Sequence, residues 1–297
     1  MRTIRQWQAS TVLNRTARGQ NFGFHYSLNP YRGCSHGCRY CYARESHAYL
    51  GLNIREDFER KLFAKQNLAQ RLSAELTRIG HDGVIAIGTV TDPYQPLEGS
   101  QRLTRMAIEL LGQSGLVFTI TTKSPLVERD LDLLAPLGQR RQVAIQVSVI
   151  SLDRNLIKRL EPGAPPPRRR LETVRRLSQA NIPVGVFVAP IIPGLGDSPD
   201  DLDALFSAIH AVGADWVMTS TTRLAPALRE YFFDEIHPFD PKAALQMRRL
   251  YGPRQYVDFT YRRQLSRLLD RLYRRYSLSR TPPILRPHIT KEQLSFF

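Results

Sequence analysis

Cysteine is scarce in this chain, with three residues in 297, all between positions 34 and 41. So few thiols leave no room for an intrachain disulfide beside a metal site, or for a second cysteine-ligated cluster. Long hydrophobic runs are missing too, so we expect no membrane span. The first residues lack the apolar core of a signal peptide. Together these absences favour a reducing, cytoplasmic setting.

Acidic residues are also few: 27 Asp and Glu stand against 42 Lys and Arg, for a net charge of +15. The excess is uneven. From Lys242 to the end there are 13 Lys or Arg and 3 Asp or Glu, a net charge of +10. This asymmetry predicts a polyanionic partner such as DNA or RNA.

The three cysteines, Cys34, Cys38 and Cys41, form the pattern C-x-x-x-C-x-x-C. Structural zinc sites usually have four protein ligands. Three thiolates can bind three irons of a [4Fe–4S] cluster and leave the fourth iron open to a small molecule. The alternatives are a zinc site completed by His36 or His47, or a chance cluster of thiols.

Six short strands rich in Val, Ile, Phe and Thr are predicted to alternate with helices. The expected strands are Phe24–Leu28, Val84–Thr89, Leu116–Thr121, Gln142–Ile150, Val184–Ala189 and Asp215–Thr219. The expected helices between them are Leu68–Ile79, Gln101–Leu111, Leu126–Leu134, Arg168–Ala180 and Asp200–Val212. Such alternation predicts a parallel sheet that right-handed crossovers curl toward a barrel. Six units are too few to close eight strands, so we predict an α/β fold, a partial (β/α)6 TIM-like barrel.

The chain is expected to divide into three parts. Residues 1–20 would be a basic arm, residues 21–240 the barrel, and residues 241–297 a basic helical extension. A helix is expected from Cys41 to Leu50, and Phe58–Lys65 suggests an additional strand. In parallel sheets of this kind, the active site lies at the carboxyl ends of the strands.

The stretch Asn29–Arg44, which contains the cysteine triplet, resembles the radical S-adenosylmethionine (radical SAM) superfamily. More closely, it is similar to the spore-photoproduct-lyase-like group, often called "DNA repair photolyase". Thr91-Asp-Pro-Tyr-Gln-Pro96 and Glu161-Pro-Gly163 share that likeness, which covers roughly residues 20–240. The resemblance implies a [4Fe–4S] cluster that binds SAM at its open iron. An electron donor such as flavodoxin or ferredoxin would then start SAM cleavage, giving a radical that abstracts hydrogen from the substrate.

On this resemblance, four residues are candidate SAM contacts. Tyr40 offers an aromatic face to the adenine, with core packing as the alternative. Ser148 could bind the ribose or carboxylate, although buried strand serines are common. Lys123 could neutralise the SAM carboxylate or a substrate phosphate, or be a solvated loop lysine. Arg223 could do the same, or form a structural ion pair.

The region after the second strand departs from the family pattern. The stretch Gly88–Asp92 replaces the Gly-Gly-Glu turn that meets the methionine amino group of SAM in many radical SAM enzymes, and Thr89 and Thr91 are the candidate substitutes for that contact. Spore photoproduct lyases carry a fourth cysteine there as a hydrogen donor, and this chain has none. Tyr94 is the nearest O–H group for a relay. Glu98 is interpreted as a helix-start carboxylate.

In the C-terminal region, arginines recur every three to five residues with tyrosines between them. On a helix, Arg263, Arg267, Arg271 and Arg274 would share one face. They could bind phosphates while the tyrosines stack on bases; the alternative is a solvated face with packed tyrosines. Three functions stay open: a radical SAM enzyme on nucleic acid, one on a peptide or metabolite, and a non-catalytic Fe–S nucleic-acid-binding protein.

Overall fold

The computed structural model describes residues 2–17, 23–79 and 83–288 of the 297-residue chain. Its strands are β1 (Thr3–Trp7), β2 (Leu13–Arg15), β3 (Tyr26–Leu28), β4 (Tyr31–Arg32), β5 (Lys61–Lys65), β6 (Val84–Ile87), β7 (Val117–Thr122), β8 (Val143–Ser148), β9 (Val184–Ile191) and β10 (Trp216–Thr221). Its α-helices are α1 (Asp57–Arg60), α2 (Leu68–Leu76), α3 (Glu98–Gln101), α4 (Leu103–Ser114), α5 (Leu131–Gln139), α6 (Arg154–Leu160), α7 (Pro167–Gln179), α8 (Pro199–Ala211), α9 (Pro226–Ile236), α10 (Pro241–Tyr251) and α11 (Phe259–Arg275). Two 3₁₀ helices cover Tyr42–Leu50 and Pro125–Asp130.

Six parallel strands form the centre of the fold. The larger sheet has the order β10-β9-β8-β7-β6-β3-β2, and only the β2–β3 pair is antiparallel. Helical connections join successive parallel strands, as parallel pairing requires. Within the described residues β10 and β2 are the two edges and are not hydrogen-bonded to each other. The prediction of a partial (β/α)6 barrel is therefore confirmed.

The apolar strands and amphipathic helices explain this arrangement. In β8, Val143, Ile145 and Val147 are fully buried, as expected for a parallel sheet covered on both faces. The helices bury residues at helical spacing against the sheet; for α8 these are Leu202, Leu205, Phe206 and Ile209. The Ser198 hydroxyl caps α8 by accepting a hydrogen bond from the Asp201 N–H at 3.1 Å.

Several element boundaries differ from the prediction. The expected helix Leu126–Leu134 is a 3₁₀ helix followed by α5, and the helix expected after Cys41 is also 3₁₀. The run Phe58–Lys65 contains most of α1 before it becomes β5. The sequence analysis missed α6, which has only seven residues, and α9, which has eleven and follows closely after β10.

The N-terminal segment, expected as a basic arm, contributes strands to both sheets. β1 pairs in parallel with β5, and β4 pairs antiparallel with β5, forming a three-stranded sheet. β2 adds to the edge of the larger sheet through β3. Met1 and residues 18–20 of the expected arm lie outside the described residues.

The C-terminal helices pack on two different parts of the barrel. Residues of α9 and α10, including Phe232 and Met247, share a buried cluster with Cys38 and Tyr40. Helix α11 instead buries Leu265, Leu269, Leu272 and Tyr273 in the main core. The helices predicted within Pro241–Tyr276 are thus present as α10 and α11. No helix among the described residues is both long and apolar enough to span a membrane.

Candidate active site

The cysteine loop, residues 33–41, follows β4 beside the carboxyl ends of the barrel strands. Gly33 has φ +78°, and a Cβ there would lie 2.9 Å from the Phe58 carbonyl, so the close approach requires glycine. The Cys34 N–H donates to that same carbonyl at 3.0 Å. Cys34 and Cys38 are buried and Cys41 is partly exposed. The loop therefore presents its three thiols from a closely packed backbone.

Arg44, the last residue of the recognised stretch, holds this loop from beneath. Its side chain is fully buried, and it donates to the carbonyls of Cys38 and Gly37, both at 2.9 Å. Its charge is balanced by Glu59 at 2.6 Å. Because a guanidinium has five donors in a fixed plane, one side chain can fix several backbone carbonyls at once.

The segment Thr91–Pro96 braces the same loop from the side of β6. The Thr91 hydroxyl donates to the Gly33 carbonyl at 2.6 Å. Gln95 donates to that carbonyl at 3.1 Å and accepts from the Ser35 N–H at 2.9 Å. This part of the recognised sequence therefore shapes the cysteine loop.

Asp92 joins the loop to β7. One of its carboxylate oxygens lies 3.2 Å from His36 Nδ1, and the other accepts from the Thr122 hydroxyl at 2.7 Å. The Lys123 N–H also donates to the carboxylate, at 2.7 Å. Burial alone would raise the pKa of Asp92, but His36 and these hydrogen bonds lower it to about 2. Asp92 is consequently a fixed negative charge.

A buried network under Cys38 contains two of the predicted SAM contacts. The Tyr40 hydroxyl donates to Glu161, which also forms an ion pair with Arg170; all three side chains are buried. Lys123 Nζ lies 3.9 Å from Glu161 and 5.9 Å from the centroid of the Tyr40 ring. Burial alone would lower the pKa of Lys123, but negative charge on Cys38 and Glu161 raises it. Lys123 is therefore a charged lysine at the site and not a solvated one.

Ser148 lies at the edge of this network, at the end of β8. Its carbonyl accepts from Arg170 Nη1 at 3.1 Å, and the residue is buried. A serine hydroxyl at the end of a strand can donate a hydrogen bond to a polar ligand group. The assignment of Ser148 to SAM stays a prediction.

Two other predicted residues, Thr89 and Arg223, have protein partners. The Thr89 hydroxyl accepts from Asn29 Nδ2 at 2.9 Å. Arg223 is exposed and donates to Gln255 at 2.9 Å. Among the described residues, Arg223 forms no hydrogen bond or ion pair with Tyr40, Lys123 or Ser148.

Tyr94 is fully buried in the main core, and its hydroxyl donates to Asp130 at 2.9 Å. Burial, with the Asp130 carboxylate beside it, holds the pKa of Tyr94 well above its usual value. Glu98 is also buried: it accepts from the N–H groups of Thr104 at 2.9 Å and Arg105 at 3.2 Å. Glu98 therefore accepts hydrogen bonds from backbone N–H groups in the first turn of α4, as expected of a helix-start carboxylate. Tyr94 is packed away from solvent.

Tyr42 was overlooked from the sequence. It directly follows Cys41, its hydroxyl donates to the Thr89 carbonyl, and its ring is 52% exposed. Glu161, Arg170 and Asp92 were missed as well, although Glu161 and Asp92 lie inside the recognised strings. For Glu161 and Asp92, the available signal was an acidic residue in a segment that is otherwise rich in proline and glycine. Such segments are normally assigned to loops.

The residues present fit a [4Fe–4S] cluster with SAM beside it. The donor set is three thiols on one loop, Cys34, Cys38 and Cys41, and the sequence has no fourth cysteine for a fourth iron. Burial raises the pKa of the Cys38 thiol to about 12, and the positive charge of Lys123 and Arg170 offsets this only in part, so a bound metal would be what holds Cys38 as a thiolate. The buried Ser35 hydroxyl, which has no hydrogen-bond partner among the described residues, and the Lys123 ammonium would supply polar groups for SAM.

The zinc alternative is weaker on this geometry. His36 is held beside Asp92, and His47 Nε2 lies 3.1 Å from the Lys61 carbonyl.

Comparison with known proteins agrees with the site. The family model of the radical SAM superfamily matches residues 28–207. The match covers more than half of the chain, so the protein belongs to the radical SAM superfamily. It is a radical SAM enzyme that uses a [4Fe–4S] cluster and SAM, and the non-catalytic alternative is set aside. The cluster, when bound, supplies the electron that cleaves SAM and so starts hydrogen abstraction from the substrate.

Among similar sequences, an uncharacterized protein of Mycobacterium tuberculosis is 35% identical over 278 residues, which is 93% of this chain and 82% of the relative. A radical SAM Nalpha-GlyT isomerase of Pseudomonas phage M6 is 24% identical over 222 residues, 72% of this chain and 44% of the relative. Among solved structures, a spore photoproduct lyase variant with bound AdoMet and dinucleoside spore photoproduct matches with a TM-score of 0.66 and 17% identity, over 92% of this chain and 79% of that chain. This last likeness shows a shared fold.

Proposed function

We propose that this enzyme acts on a nucleic acid, in repair or modification, and receives electrons from a flavodoxin- or ferredoxin-type donor in the cytoplasm. The observation that carries the proposal is the arginine face of α11, formed by Arg263, Arg267, Arg271 and Arg274. In the continuous helix Phe259–Arg275 these residues lie opposite the buried Leu265, Leu269, Leu272 and Tyr273.

All four arginines of this face are exposed, and none has an ion-pair partner in the part of the chain that the structure describes. The next arginine differs, because Arg275 pairs with Asp203 at 3.0 Å. Unpaired guanidinium groups in a row match the spacing and charge of a phosphate backbone. From Arg263 to Arg274 the helix rises about 16 Å, roughly the length of five phosphates along one strand.

The neighbouring tyrosines do not supply the stacking surface considered from the sequence. Tyr251 and Tyr273 are buried, and their hydroxyls donate to the carbonyls of Thr222 at 2.8 Å and Val217 at 2.7 Å. Tyr261 donates to Asp197 at 2.7 Å. Tyr256, 49% exposed, is the ring left for a base. The proposal therefore depends on phosphate contacts more than on stacking.

The orientation of α11 places one end of the arginine face near the candidate active site. Asp197, the partner of Tyr261, follows β9, so the first turn of α11 lies near the carboxyl ends of the strands. Val217, the partner of Tyr273, is near the start of β10, so the last turn lies near the opposite edge. Arg263 is thus the arginine of this face nearest the site edge, and a bound strand could lead from it toward the cysteine loop.

The test is the salt dependence of binding to single- and double-stranded DNA and RNA. Wild-type affinity should fall steeply with salt, because each neutralised phosphate releases counterion. Changing Arg267, Arg271 and Arg274 together to Gln should reduce the slope of log K against log salt by about two to three units. Iron content and thermal unfolding of the variant would verify its fold.

A matched control is Arg71→Gln with Arg78→Gln, which removes two exposed, unpaired arginines from α2 or just beyond its end. This control should leave the slope as in wild type. Unchanged affinity in the triple variant, or no wild-type binding at low salt, would favour a peptide or small metabolite as substrate.

A further inference from the structure

The short helix α6 presents unpaired positive charge beside the cysteine loop. Arg154, Lys158 and Arg159 are all exposed, and none lies within ion-pair distance of an acidic side chain in the described residues. The Arg159 guanidinium lies 5.1 Å from the centroid of the Phe239 ring, which holds it at the surface.

A cleft of about 370 Å³ separates α6 from α9, with Arg39, Lys158 and Arg159 among its lining residues. The acidic residues of its α9 side are already paired. Glu235 lies 3.1 Å from Arg39, and Asp234 lies 2.8 Å from Arg55. The charge left uncompensated at this surface is therefore positive.

This surface is joined directly to a cluster ligand. The Leu160 carbonyl at the end of α6 accepts from the Arg39 N–H at 2.8 Å, and Arg39 adjoins Cys38. The next residue, Glu161, accepts a hydrogen bond from Tyr40. One hydrogen bond thus connects the α6 backbone with the backbone beside Cys38. A carrier docked on α6 would have a short path to the cluster.

We propose that α6 and its cleft are the docking surface for a small acidic electron-carrier protein that reduces the cluster. The carrier loses one electron and the oxidised cluster gains it; no bond is made or broken and no other group moves. This inference rests on the radical SAM assignment and is independent of the nucleic-acid substrate. Nucleic acid is a weaker occupant, because α6 carries three cations on seven residues while α11 carries a longer row.

The test uses cluster-loaded protein and a purified flavodoxin, with no nucleic acid present. The variant is Lys158→Glu with Arg159→Glu, and the matched control is Arg71→Glu with Arg78→Glu. Two readouts are needed. The first is the dissociation constant for flavodoxin at low salt, from flavin fluorescence anisotropy. The second is the rate ratio, defined as the flavodoxin-driven rate of SAM cleavage divided by the dithionite-driven rate. Dithionite is a small reductant that needs no docking surface.

We expect the charge reversal at Lys158 and Arg159 to weaken flavodoxin binding about tenfold or more, and to lower the rate ratio in parallel at subsaturating flavodoxin. The α2 control should change both by less than about twofold. Should the reversed variant fold poorly, Lys158→Ala with Arg159→Ala should give a smaller loss of the same kind. The proposal is overturned if wild type does not bind flavodoxin, if the control is weakened equally, or if the variant loses nucleic-acid binding and keeps flavodoxin binding.

Discussion

Replacing Glu161 with glutamine should destabilise the protein far more than replacing a surface glutamate. Glu161 is buried, and its carboxylate faces the buried Arg170, Lys123 at 3.9 Å and the Tyr40 hydroxyl. Burial alone would raise the pKa of Glu161, but Arg170 and Lys123 lower it, so the carboxylate is charged. An amide at this position would leave two cations beneath the cysteine loop without their counter-charge.

Breaking a buried ion pair from one side costs about 3–5 kcal/mol. For a chain of 297 residues, that corresponds to a fall in unfolding temperature of roughly 5–8 °C. The assay is thermal and urea unfolding of the metal-free protein at neutral pH, so that cluster loss does not contribute. Glu172→Gln is the matched control: in the described part of the chain Glu172 pairs with the half-exposed Arg175 and Arg176, so its change should leave the unfolding temperature close to that of wild type.

If Glu161→Gln is no less stable than Glu172→Gln, the network under Cys38 is not held by this carboxylate, and the reasoning fails. A double variant tests the same ion pair from both sides. Combining Glu161→Gln with Arg170→Met should recover part of the lost stability, because the second change removes one of the orphaned charges.

Further predictions concern the cofactors and the substrate. Anaerobically reconstituted wild type should carry close to four iron and four sulfide per chain by the cluster stoichiometry, and Cys38→Ala should lose most of both; stoichiometric zinc in wild type would contradict this. Ser148→Ala should weaken SAM binding by about 1 kcal/mol in equilibrium titration, since one hydrogen bond is lost, and normal binding would remove Ser148 from the SAM site. Because Thr89 and Thr91 supply no thiol, wild type should not repair spore photoproduct efficiently; rapid conversion of that lesion to two thymines, measured chromatographically, would require another hydrogen donor.

The barrel was largely predictable because its signals are local. Runs such as Val143–Ser148 combine apolar, β-branched residues with a length typical of buried strands, and the helices between them repeat at helical spacing. The cysteine spacing identified the metal chemistry for a similar reason, since its ligands lie within eight residues.

The rest of the site depends on contacts between distant segments. Tyr40 and Glu161 are 121 residues apart, and Thr91 reaches Gly33 across 58 residues. No single-segment pattern shows such pairing, so the hydrogen bond from Thr91 to the cysteine loop was not predicted. Tyr94 was considered for a relay because its phenol is reactive in principle, yet its burial against Asp130 could not be read from its neighbours in sequence.

The anchoring of the cysteine loop affects how the cluster can be installed and replaced. Arg44, Thr91 and Gln95 hold the loop carbonyls and amides through protein groups alone, so the shape of the loop does not require iron. Where a metal must organise its own ligands, losing it unfolds the site and reloading must repeat the folding. Here, after damage by oxygen, the cluster could be reassembled on a loop that is already ordered. Iron binding then does not have to offset the loss of conformational entropy on ordering the loop.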